Sequence, residues 1–204
     1  MKKILMTLAT CFVAVSMSAQ YYVGGTLGFG SSKDKTNPAA ELSTSSFRIN
    51  PEIGMALDDK LGVGIVLDFQ SNTRKTENTV ATPTTSVETT ITRFALEPYA
   101  RYQFLKFGKA NIFIDGGLSF GITSQKDMKA GMDLALFAQP GVAFDINDQW
   151  SIVAKFTDMF WLGYSKQPIA DVAGAPDAPS SFDFGASTGG FNLGGLNFGV
   201  YYKF

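Results

Sequence analysis

The chain has no histidine and a single cysteine, Cys11. The first absence removes the commonest acid–base group and metal ligand. The second leaves no disulfide framework. Long apolar runs are scarce too. Beyond the N-terminal segment no stretch reaches about 18 consecutive apolar residues, so no membrane-spanning helix is expected. A formal net charge of −1 gives no electrostatic reason to expect nucleic acid. What the chain has in quantity is 18 Phe and 21 Gly, a composition of strand formers and turn formers.

The N-terminus reads Met1-Lys2-Lys3, then an apolar run over 4–15, then the small-residue stretch 16–20. A basic head, an apolar middle and a small-residue cleavage zone form a secretory signal peptide. It is expected to occupy 1–19, with cleavage after Ala19 or Ser18. Leu8-Ala-Thr-Cys11 is a poor lipoprotein box, because Thr10 precedes the cysteine and the apolar run continues past it. About 185 residues remain, the size of one domain over 20–204.

That domain alternates with a period of two. In the last nine residues Leu196, Phe198, Val200, Tyr202 and Phe204 share one face, with Asn197, Gly199, Tyr201 and Lys203 on the other. Seven earlier segments alternate in the same way: 20–30, 46–57, 61–70, 91–104, 110–122, 131–146 and 149 to about 164, before a closing strand in 191–204. The connections run long, short, long, short, medium, short, long, with polar loops at 31–45, 71–90 and 166–189. An apolar strand ending the chain would be an aggregation-prone edge unless paired on both sides. The pattern predicts an all-β fold, an eight-stranded antiparallel up-and-down transmembrane β-barrel whose last strand closes on its first.

A repeat runs through the second, fourth and sixth strands, where Pro51, Pro98 and Pro140 each lie seven residues before a turn position (Asp58, Leu105, Asn147). Proline lacks the ladder donor, so local bulges are expected there.

Volume decides which face is outside. The apolar faces carry mostly large side chains, whereas eight strands enclose barely enough space for side chains to fill. The opposite faces hold Gly54, Ala56, Gly62, Gly64, Ala95, Gly117, Gly121, Ala135, Gly141, Ala143 and Gly199, together with ten charges. Arg48, Arg93, Arg101, Lys155 and Lys203 balance Glu52, Asp68, Glu97, Asp115 and Asp145. Such a set is expected to form an ion-pair network within the lumen, since a lone buried ion is costly. Aromatics near strand ends suit membrane-interface girdles: Phe104, Phe107, Phe144, Trp150, Tyr202 and Phe204 at the turn end, and Phe47, Phe69, Phe94, Phe120, Phe160, Trp161 and Tyr164 at the loop end. Asp158 would point at lipid under strict alternation. A soluble secreted lipocalin-like barrel, apolar face inward, is the rival reading.

The signal segment, Asn50-Pro-Glu-Ile-Gly54, Leu96-Glu-Pro-Tyr-Ala-Arg-Tyr102 and the terminal Gly199-Val-Tyr-Tyr-Lys-Phe204 together resemble the porin-like outer-membrane β-barrel family, whose small members are OmpA- and OmpX-type barrels. The resemblance covers essentially the whole mature chain. It implies the outer membrane of a Gram-negative bacterium, contact with outer-membrane lipid, and a C-terminal signal read by the barrel-insertion machinery. Val200, Tyr202 and Phe204 would carry that signal.

Some barrels of this size are enzymes that use Ser with His, and this chain has no His. Glu52 and Glu97 are carboxylates of the kind acid–base catalysis uses, but a lattice with Arg48, Arg93 and Arg101 is the simpler role. Asp171, Asp177 and Asp183 match no calcium-loop spacing. Gly24-Gly25 and Gly194-Gly195 precede no helix, so they are strand kinks rather than phosphate cradles. No catalytic residue, metal or cofactor is expected, no nucleic acid is implied, and a monomer is expected. Two roles remain: a structural or surface-interaction barrel whose lumen is closed by paired charges, or a narrow pore or carrier for small solutes. Open water channels appear at about 16 strands, which favours the first.

Overall fold

The computed structural model describes residues 20–34, 40–78, 85–156, 159–170, 178–186 and 196–204; the expected signal peptide lies outside them. The strands in chain order are β1 Gln20–Asp34, β2 Ala40–Ala56, β3 Leu61–Asn78, β4 Thr85–Phe107, β5 Ala110–Gln125, β6 Met128–Lys129, β7 Gly131–Asp145, β8 Trp150–Phe156, β9 Phe160–Lys166, β10 Ile169–Ala170, β11 Ser180–Ala186 and β12 Leu196–Lys203.

The wall is closed. β1 through β5 pair in sequence, β7 follows β5, β8 follows β7, and β12 joins β8 to β1, all antiparallel. The register can be followed right round. From Val142 the paired residues are Ala154, Phe198, Leu27, Ile49, Phe69, Phe94 and Ile122, and the path returns to β7 at Met132, ten residues away. That stagger obliges the strands to tilt by roughly 40°.

The apolar face is outside. Ile65 is 44% exposed and Leu96 42%, whereas Glu97 is buried within the barrel and Arg93 part-buried beside it. The interior alternates with the exterior along every strand of the wall. This arrangement excludes the lipocalin-like reading, which needed the aliphatic face inward.

Three local features differ from the sequence expectation. First, strands replace parts of the polar loops: β2 and β3 continue through 40–45 and 71–78, and β4 begins at Thr85. Thr73 and Thr90 hydroxyls lie 3.0 Å apart across the ladder and Lys33 lies 3.5 Å from Glu41 on the neighbouring strand, while Lys75 pairs with Glu77 along β3 itself. Polar residues of this kind favour strands when cross-strand partners match.

Second, a strand that the sequence pattern did not predict joins the sheet at the loop end. β8 is succeeded by β9, which pairs with β7 on one side and β11 on the other. Within the predicted loop 166–189, the run Phe182-Asp-Phe184 is a strand, its two Phe facing out beside Tyr164 and Leu162.

Third, Pro51 and Pro98 add no bulge. The ladder toward the next strand skips Asn50–Pro51 in β2 and Glu97–Pro98 in β4, yet the register is the same on both sides of each gap. On the preceding-strand side Pro51 pairs with Gly25 and Pro98 with Ile65. An antiparallel residue directs its N–H and C=O to one neighbour, so a missing donor interrupts one ladder only. Pro140 pairs with Ile114 in the same way, and on its far side pairing with β8 ends at Gly141. The register shift between β4 and β5 lies elsewhere, between Gln103 and Leu105.

Two of the short turns are built alike. Asp58 Oδ1 accepts from the backbone N–H of Lys60 (2.7 Å) and Leu61 (2.8 Å). Asn147 Oδ1 accepts from Gln149 (2.9 Å) and Trp150 (2.8 Å). The third turn reverses at Gly108, whose φ of 58° suits glycine.

Candidate functional site

The polar interior forms three tiers. At the turn end Asp145 accepts from Lys203 (2.6 Å), Ser151 (2.6 Å) and Asn111 (3.0 Å). In the middle, Arg101 donates from Nε and Nη2 to the two oxygens of Asp115 at 2.7 and 2.8 Å, a bidentate pair, and to Glu52 at 3.0 Å. Lys155 donates to Glu52 at 2.6 Å and lies 2.9 Å from Asp115. Two cations thus meet two carboxylates, with Glu52, Asp115 and Lys155 buried and Arg101 part-buried.

Aromatic rings complete this middle tier. Tyr99 donates its hydroxyl to Glu52 and lies 2.5 Å from the Tyr22 hydroxyl, while Tyr201 donates to the other Glu52 oxygen at 2.9 Å. The Arg101 guanidinium sits 4.0 Å from the Phe113 ring centroid. Cation–π contact and charge-assisted hydrogen bonds offset the cost of burying the ions.

Toward the loop end, Arg93 donates to Asp133 (3.0 and 2.6 Å), Asp68 (2.6 Å) and Ser119 (2.7 Å). Glu97 accepts from Ser119 at 2.8 Å and lies 3.7 Å from Arg93. Arg48 lies 3.3 Å from Asp68 and donates to Gln70 at 3.2 Å, and Asn50 donates to Asp68 at 2.8 Å.

The structure therefore brings Arg48, Asp68, Arg93 and Glu97 together, groups Glu52, Arg101, Asp115 and Lys155, and pairs Asp145 with Lys203. Sequence reasoning missed Asp133, although its inward parity in β7 was available. It also missed the inward rings Tyr22, Tyr99, Phe113, Phe137 and Trp161, and it placed Tyr201 on the inner face without giving it a role. Trp161 is a correction. It pairs with Phe137 and Gly185, on the lumen side of β9, and takes no part in the outer girdle. Its neighbours Phe160 and Leu162 occupy the outward positions, which strict alternation required.

Val200, Tyr202 and Phe204 all face out from β12 and its end. Tyr202 stacks edge-on against Trp150 and Phe204, with centroids 4.9 and 5.1 Å away. Gly24 and Gly25 meet the last strand closely: a Cβ on Gly199 would lie 2.7 Å from the Gly25 carbonyl carbon. Asp183 accepts from Ser181 at 2.7 Å. Asp158, Asp171, Asp177 and Gly194-Gly195 lie outside the described residues.

Cavities flank the middle tier. A turn-end vestibule of about 330 Å³ is lined by Tyr22, Arg101, Phe113, Asp145, Tyr201 and Lys203 among others. A second, of about 300 Å³, lies between Arg48, Gln70, Arg93 and Glu97 on one wall and Phe137, Gln139 and Trp161 on the other.

A closed antiparallel wall of eight strands, apolar outside and filled with paired ions, is the construction of a small outer-membrane barrel. The model of the outer membrane protein beta-barrel domain matches residues 4–204, and the chain belongs to that family, an outer-membrane β-barrel of Gram-negative type. No curated protein matches it in sequence. Among solved structures it is similar to Neisserial surface protein A, NspA, at 14% identity, covering 91% of this chain and 96% of that one with a TM-score of 0.41. It is also similar to the outer membrane protein OprG from Pseudomonas aeruginosa, at 12% identity over 91% and 95% of the chains, TM-score 0.48. The translocator domain of the autotransporter NalP from Neisseria meningitidis matches at 10% identity over 99% and 95%, TM-score 0.38.

Proposed function

We propose that the chain is an integral outer-membrane barrel with a structural or surface-interaction role, its lumen closed to solutes by the middle tier. The observation that carries this reading is the convergence on Glu52 of four donors, Tyr99, Arg101, Lys155 and Tyr201, from three other strands. Displacing Arg101 or Lys155 strands a buried charge, and displacing either tyrosine removes a buried hydrogen bond to the carboxylate, both unfavourable. The carboxylates are occupied by these partners, which supports a non-enzymatic role. Residues 1–19 act as the signal peptide, Val200, Tyr202 and Phe204 as the insertion signal, and the barrel works as a monomer of the OmpA-like kind.

A narrow pore is the second reading, and the vestibules on both sides of the tier favour it. Single-channel recording in a planar bilayer separates the two. The closed barrel gives no conductance steps; wild-type steps that vanish in Arg101→Ala would establish the pore instead.

A further inference from the structure

The loop-end vestibule is walled unevenly. Arg48, Gln70 and Arg93 lie side by side on β2, β3 and β4, with Arg48 opposite Gln70 and Gln70 opposite Arg93. Across the cavity, β7 and β9 supply Phe137, Gln139 and Trp161. The charges on the first wall are already committed. Arg93 makes four hydrogen bonds to Asp68, Ser119 and Asp133, and Arg48 faces Asp68 and Gln70. Three carboxylates, Asp68, Glu97 and Asp133, outnumber these two arginines, so an anion gains nothing there.

The second wall is different. Among the described residues the Gln139 side-chain amide and the Trp161 indole N–H make no side-chain hydrogen bond. The two rings beside them lie over glycines of the neighbouring strands. A Cβ on Gly117 would lie 2.9 Å from Phe137 Cζ, and one on Gly185 would lie 2.6 Å from Trp161 Cη2. Aromatic faces next to unused amide and indole donors suit a molecule with an apolar face and a rim of neutral hydroxyls. A purely apolar ligand would leave Gln139 dry and unpaired, at a cost. The volume, about 300 Å³, is at the small end of ligand pockets.

We infer that the loop-end vestibule is a binding site for a neutral saccharide, one or two pyranose rings, stacked on Trp161 and Phe137 and hydrogen-bonded to Gln139 and the Gln70 amide N–H. The inference goes beyond the closed-barrel reading and holds whether or not ions leak past the middle tier, because it needs only the vestibule walls.

The chain has two tryptophans, so Trp150→Phe leaves Trp161 as the only indole reporter. The full barrel in this background, refolded in a detergent without a sugar headgroup, is titrated with glucose and with maltose while emission is followed. A saturable change with a midpoint of about a millimolar is expected, moved up about tenfold by Gln139→Leu. No saturable change with either sugar up to about 100 mM would overturn the inference. An unchanged midpoint in Gln139→Leu, or tighter binding of glucuronate than of glucose, would do the same. If Gln139→Leu does not fold, acrylamide quenching of Trp161 in the Trp150→Phe barrel decides: maltose must lower it, and equal quenching with and without maltose refutes the site.

Discussion

The Tyr99 ring fills the place a side chain at Gly64 would take. The two residues are paired across β3 and β4, and a Cβ on Gly64 would lie 2.6 Å from Tyr99 Cζ and 2.7 Å from the Ile53 carbonyl oxygen. The same pairing recurs for the other inward rings among the described residues: Tyr22 with Gly54, Phe113 with Gly141, Phe137 with Gly117, Trp161 with Gly185 and Tyr201 with Gly24. A narrow barrel can hold a ring only where the neighbouring strand gives up its side chain. Gly64→Ala is therefore expected to cost about 3 kcal/mol from overpacking. Gly116→Ala, where the nearest heavy atom is 3.9 Å away, is expected to be near neutral. Urea titration of the folded gel band measures both.

This relationship marks the boundary of what was legible in the sequence. Alternation in runs such as Leu61, Val63, Ile65, Leu67 and Phe69 gave the strands and their lipid face, because one side chain in two must meet hydrocarbon. Inward glycines were legible as small residues, but the rings they seat belong to other strands, and only the register couples them. Asp133 was lost in the same way, since its partner Arg93 lies two strands away. Phe182-Asp-Phe184 was hidden by the Pro-, Ala- and Ser-rich sequence before it. Tyr164 and Leu162, its partners, were needed to reveal it as a strand.

The turn at Asp58 predicts a pH effect. Its carboxylate accepts backbone N–H bonds from Lys60 and Leu61, which hold its pKa below the ordinary aspartate value. The stabilisation is complete above the unfolded value of about 3.9 and is lost as pH falls through the lower folded value. Asp58→Asn is expected to keep the turn, as Asn147 does in the equivalent place, while removing this acid dependence. Asp58→Ala should lose the turn bonds at every pH. Folded fraction against pH, followed by gel shift for the three proteins, checks the order.

At the C-terminus the Phe204 ring is 72% exposed and touches Tyr202, while its backbone N–H donates to the Tyr21 carbonyl at 2.9 Å. The bond is kept in Phe204→Ala, and little protein packing is lost. The purified, refolded variant is thus expected to fall within about 1 kcal/mol of wild type. If the ring serves the insertion machinery, assembled barrel in cells drops severalfold all the same. Parallel losses in both measurements would reduce Phe204 to a structural residue.

Lys155 and Glu52 offer the sharpest test of the middle tier, because its charges balance only as a set. Glu52→Gln leaves Arg101 and Lys155 facing Asp115 alone, an excess buried cation, and is expected to cost about 3–5 kcal/mol. Lys155→Met alone leaves the opposite excess and a loss of the same order. Combining the two restores one cation to one carboxylate, with Arg101 still bidentate on Asp115. The double variant should then lose clearly less than the sum of the singles, a coupling of about 1–3 kcal/mol in a double-mutant cycle. Strict additivity in the unfolding midpoints would mean that the four ions act independently, and the closed-lumen reading would lose its physical basis.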